Sequence, residues 1–138
     1  MYHSLPKREK TISIDVTDEF GVHFKGDFVI RTVLNLSQNH ALELEKSRLL
    51  GDSVNPTVKL TNIAISLATI RHHVIKSPDW WRELGEGSQI LDATIILEIY
   101  DKIIDAENKW REDIKKAAEK AKKEQEEEDK EKEASEGK

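Results

Sequence analysis

The sequence predicts an α+β fold: an N-terminal antiparallel β-hairpin or small meander packed on about three main α-helices and a short tryptophan-bearing helical turn. Residues 11–30 alternate apolar and polar side chains with period two, the pattern of half-buried strands. After Ser37 the apolar spacing shifts to three and four residues, as on one face of a helix. From Arg111 to Lys138, 20 of 28 residues are charged, so this end has little to bury.

Residues 1–10 read as a flexible leader. In "TISIDV", Ile12, Ile14 and Val16 share one side of a strand, with Ser13 and Asp15 on the other. "TDEFG" supplies turn formers, and Phe20, Val22, Phe24, Gly26, Phe28 and Ile30 then share one parity, assigned to the core. Gly26 marks either a bulge or a second turn at "KGD". Ser37 is the expected N-cap of a helix that ends before Gly51.

Asn55 and Pro56 open the next helix. Its stripe of Leu60, Ile63, Ala64, Leu67, Ile70, Val74 and Ile75 runs to about Lys76. Ser77 caps the short turn "PDWWREL", which "GEGS" closes. The last helix starts between Ser88 and Asp92, with a stripe of Ile96, Ile99, Tyr100, Ile103, Ala106, Trp110, Ile114, Ala117 and Ala121. Glu98–Lys102, Asp105–Lys109 and Glu112–Lys116 are spaced to support it from the solvent side. Residues 11–110 thus form a single domain, and 111–138 a charged helix extension passing into a disordered or frayed, solvated tail.

Composition narrows the chemistry. A net charge of −5 gives no electrostatic reason to bind nucleic acid. The absence of cysteine excludes disulfides, thiolate nucleophiles and thiolate metal sites, and suits a reducing compartment. The polar "MYHSLPKREK" has no signal-peptide core, and no apolar run approaches the roughly 20 residues that span a bilayer. The reading is a soluble, intracellular protein without membrane association.

His72 and His73 are the first residues to weigh as metal ligands. Neighbours on a helix diverge by about 100° and cannot chelate one ion together, and no second pair completes a zinc set. They are read as helix-surface histidines, and no metal is expected. Asp15, Asp18 and Glu19 fall in the hairpin turn, where such residues serve local hydrogen bonding more readily than acid–base chemistry. No nucleophile elbow or phosphate-cradling glycine loop occurs. Neither an enzyme nor a cofactor is expected.

"SPDWW" (77–81) is the unusual feature. Trp80 and Trp81 diverge by about 100° on a helical turn, so one face cannot bury both. One plugs the core, and Trp81 is chosen because its phase lies nearer Leu84. The other sits at a lip, against the hairpin or Trp110, where partly exposed tryptophan serves as a binding hot spot. Trp80, Trp81 and Trp110 are therefore the candidate partner-binding residues.

Four segments also carry a resemblance: "FKGDFVIR" (24–31), a helix ending in "RLLG" (48–51), "SPDWW" after a long apolar helix, and "LDATIILEIYDKIIDAE" (91–107). In this order they resemble a family of small tailed-bacteriophage proteins, tail assembly chaperones or tail-region proteins, over roughly residues 20–110. The charged tail is longer than that family's pattern. The resemblance implies a protein-binding module in the host cytoplasm that shields a helical, aggregation-prone partner, such as a tape measure protein, while tail tube protein polymerises. The alternative it leaves is a structural component of the mature particle (tail, connector or head-associated), located in the virion. Self-association is compatible with either.

Overall fold

The computed structural model describes residues 7–51 and 56–136, so most of the leader, and Asn55, lie outside the described residues. The fold is α+β, as the sequence predicts. Strands β1 (Glu9–Thr17) and β2 (His23–Arg31) form the hairpin. Their register sets Ile12 opposite Phe28 and Val16 opposite Phe24, so the alternation of both strands lands on one buried face. β1 begins at Glu9, so the last two residues of the expected leader belong to the strand. β2 runs unbroken through Gly26, which pairs with Ile14; it is neither a bulge nor a turn.

Phe20 and Val22 depart from the expected parity and face solvent, at 58% and 47% exposure. The tight turn interrupts the alternation. Asp18 is buried there, accepting from the backbone N–H groups of Phe20 and Val22 at 2.9 and 2.8 Å, while Gly21 supplies the left-handed conformation at φ 81°. Asp18 is an organiser of the turn.

Helix α1 (Leu36–Leu50) starts at Asn35, not Ser37. Asn35 accepts from the Gln38 backbone N–H at 2.8 Å, and the Gln38 side chain accepts in return from the Asn35 N–H at 3.0 Å, a reciprocal capping box. Gly51 ends the helix as expected. Helix α2 (Val58–His73) is capped by Thr57 rather than opened by Pro56. It buries Ala64, Leu67 and Ile70 but stops three residues before the expected end.

Val74–Lys76 instead form a third strand, β3, paired antiparallel to β2 through Val29–Lys76 and Ile30–Val74. Two β-branched residues suit a strand, and the exposed edge of β2 supplies partners that no local pattern reveals. Helix α3 (Asp79–Glu83) has Pro78, not Ser77, at its N-cap, without a side-chain bond.

Helix α4 (Ala93–Glu136) has 44 residues. Asp92 joins its start to the hairpin: one carboxylate oxygen accepts from Thr94 N at 3.0 Å, the other from Glu19 N at 3.1 Å. Ile95, Ile96, Ile99, Ile103 and Ala106 fill the core against the sheet and α2. Trp110 and Ile114 are half-buried, whereas Ala117 and Ala121 face solvent. Of the two readings of the tail, the solvated helix is the one observed. Glu112–Lys116 forms at 3.2 Å, but Lys102 turns to the sheet and donates to the Ser13 carbonyl at 2.8 Å.

Candidate protein-binding surface

The tryptophan pair divides as its angular separation requires. Trp81 is 2% exposed, edge-to-face with Phe28 at 5.7 Å. The loop after α3 closes over it. A Cβ at Gly87 (φ 94°) would come within 2.6 Å of the Trp81 ring and 2.8 Å of Leu67, so only glycine fits. Trp81 is enclosed and offers no surface to a partner in this conformation.

Trp80 lies half-buried over the outer edge of β2. Its indole Nε1 donates to the Lys25 carbonyl at 2.9 Å, and its ring meets Phe24 and Phe28 edge-to-face at 5.1 and 5.7 Å. Gly26 makes this seat. A side chain there would collide with the Pro78 ring, its Cβ only 2.8 Å away, and approach Trp80 Nε1 at 3.3 Å. Trp80 therefore satisfies a strand carbonyl where, among the described residues, β3 does not reach, and its role is first intramolecular. Trp110 is distant in sequence, half-buried, and donates to the Lys7 carbonyl at 3.3 Å.

The adjacent histidines also differ. His73, expected at the surface, is 4% exposed; its Nδ1 lies 2.7 Å from the Thr69 carbonyl and so carries the proton. Burial pushes its pKa below the ordinary value, against the opposing effects of the Thr69 bond and Glu107. Arg71 ties three elements together. It donates to Glu45 of α1 at 2.8 Å and to the Gly85 and Glu86 carbonyls at 3.2 and 3.1 Å. The Arg48 hydrogen bond, with further help from Arg71, holds the Glu45 carboxyl at about 2 despite its partial burial.

An open trough lies between α2 and α4. Two adjoining hollows of about 300 and 310 Å³ share Asn62 and Leu97. Val58, Ile63 and Ala93 give one end an apolar lining beside Lys59; Ile65 and Tyr100 line the other together with Ser66 and Asp101. Leu97, at 38% exposure, stands between them, and Val58 at one mouth is 78% exposed. Sequence reading missed this trough. Its only forward signal is that Leu97 lies one step off the buried stripe of α4 and yet is large and apolar.

No protein-family model, curated protein or solved structure matches this chain. Among the described residues, no helix is long and apolar enough to cross a membrane.

Proposed function

We propose that this protein is a protein-binding module of the tail-assembly-chaperone kind, which shields an amphipathic helical segment of an aggregation-prone partner such as a tape measure protein. The α2–α4 trough carries the reading. An open groove between two helices, apolar around Val58, Ile63 and Leu97 and polar around Ser66 and Asp101, suits a third, amphipathic helix. The four-segment resemblance supplies the kind of partner, and the charged helix extension keeps a protein with an exposed, partly apolar groove in solution. Binding without chemistry, in the host cytoplasm, completes the proposal. Trp110 and the outer face of Trp80 border other parts of the surface and serve at most as secondary contacts.

The test is co-expression with helical segments of a tape measure protein. The wild type should hold such a segment in the soluble fraction. Leu97→Asp should lose that ability while melting within a few degrees of wild type, because Leu97 is already partly exposed. A Leu97→Asp variant that still protects the segment removes the trough from the function. Recovery of the protein in purified particles, in fixed stoichiometry, would favour the virion component instead.

A further inference from the structure

Beyond Ile114 the helix α4 leaves the domain, and its charges are sorted along its length. Residues 115–123 hold five lysines against one glutamate, a net charge of +4. Residues 124–133 hold seven carboxylates against two lysines, a net charge of −5. Within the single helix, Lys116–Lys120, Glu124–Glu128, Glu127–Glu131 and Asp129–Glu133 set like charges four residues apart, where they repel, while pairs such as Glu119–Lys123, Glu126–Lys130 and Glu128–Lys132 attract. The acidic block also sits toward the C-terminal end, where the helix dipole favours cations. Two adjoining blocks of opposite net charge each keep an excess that a partner with the reverse order can neutralise.

We propose that this partner is a second copy of the same segment, lying antiparallel. In that orientation each basic block faces an acidic block twice over, whereas a parallel pair would set like against like. Charges flanking a helix–helix contact choose partner and orientation in this way. Ala117 and Ala121 continue the inner stripe of α4 and are exposed, and such small side chains allow the two helices to approach closely. An overlap of about 20 residues runs about 30 Å and brings the acidic tip of one helix to the root of the other.

The root is prepared for it. Lys7, Lys10 and Lys109 surround Trp110 at a hollow of about 240 Å³, shared with Glu9 and Asp113. Glu9 is engaged by Lys7 at 3.8 Å, and Lys10 and Lys109 against Asp113 leave the hollow with one positive charge in excess. Exposed ion pairs are individually weak, so the association is modest and salt-sensitive.

The experiment uses the full chain, whose lack of cysteine makes cross-linking unambiguous. A mixture of Ala117→Cys and Glu128→Cys chains, oxidised at about 0.05 M salt, should give the mixed disulfide dimer, because these positions lie on one face and oppose each other only when the helices run antiparallel. The Ala117→Cys chain alone should give little dimer. Sedimentation should show a mass above 15.9 kDa that returns to it near about 0.5 M salt. The triple variant Lys120→Glu, Lys122→Glu, Lys123→Glu should be monomeric, and a chain with Glu126→Lys, Glu127→Lys and Glu128→Lys should restore association when mixed with it. A monomer at every salt concentration overturns the proposal, and so does efficient disulfide formation between two Ala117→Cys chains. Leu97→Asp should leave all of these results unchanged, which separates this inference from the groove reading.

Discussion

The two halves of α4 share one backbone hydrogen-bond pattern and are helical for different reasons. Up to Ala106 the helix is held from outside: Ile95, Ile99 and Ile103 are 0–1% exposed and touch the sheet and α2. After Ile114 nothing among the described residues of the chain packs on it, and only propensity and local pairs such as Glu112–Lys116 act. Most helical stability in proteins comes from packing of an apolar face, so the first half should respond to single atoms and the second hardly at all.

The comparison is sharpened most by the ring cluster on which the first half rests. Trp81→Ala should cost about 3–5 kcal/mol, read from chemical denaturation. Trp80→Ala should cost clearly less, about 1–2 kcal/mol, because the ring is only partly buried and one indole bond is lost. Equal losses would mean that the two rings form one indivisible core. Next in size, Gly26→Ala should destabilise by about 1–3 kcal/mol, since the new methyl must displace Pro78 and Trp80. A neutral Gly26→Ala would show that α3 slides freely over β2.

Acid supplies the third test. Glu45, held at about 2 against an ordinary 4.5, binds its proton first in the unfolded chain. Its contribution is therefore complete above pH 4.5 and is lost as pH falls toward 2. After solvent screening of the exposed Arg48 side it amounts to about 1–2 kcal/mol. His73, buried and neutral, acts in the same direction from a higher starting point: the unfolded chain protonates around 6.5, so stability already declines below that pH. Arg48→Gln should flatten most of the lower part of the curve and leave the upper part, with Arg71→Gln having the smaller effect. A stability profile flat from pH 7 to 3 would break both assignments. The smallest effect belongs to the second half of α4. Removing residues 124–138 should change unfolding free energy by less than about 0.5 kcal/mol at a salt concentration where the chain is monomeric, and a larger loss would mean that the rod folds back onto the domain.

What the sequence made legible follows the same division between local and distant causes. Period-two alternation placed both strands because Ile12 and Ile14 of β1 and Phe24, Phe28 and Ile30 of β2 share one buried face. The phase of Trp81 toward Leu84 picked the enclosed tryptophan. Caps were harder: "NLSQN" offers both Asn35 and Ser37, and Gln38, three residues after Asn35, was the distinguishing mark. β3 escaped because Val74 and Ile75 extend an apolar helical stripe equally well, and the free edge of β2 decides between the two. His73 looked like surface because its burial depends on where β2 and α4 cross α2. The α2–α4 trough was invisible for the same reason, since a groove is a property of two helices at a given separation.

The lysine that reaches back from α4 has one more consequence. β1 is an outer strand of the sheet. Arg8 and Asp18 bond across the hairpin to Thr32 and Val22, so the odd-numbered residues between them turn their backbone groups outward. That open row is a template on which a foreign strand can polymerise. Lys102 places its ammonium on the Ser13 carbonyl, at the middle of the row. Any chain adding there must first strip a cation from its oxygen and leave that charge inside a growing stack. The fold thus carries, in a single side chain, a stop against fibril growth along its own edge.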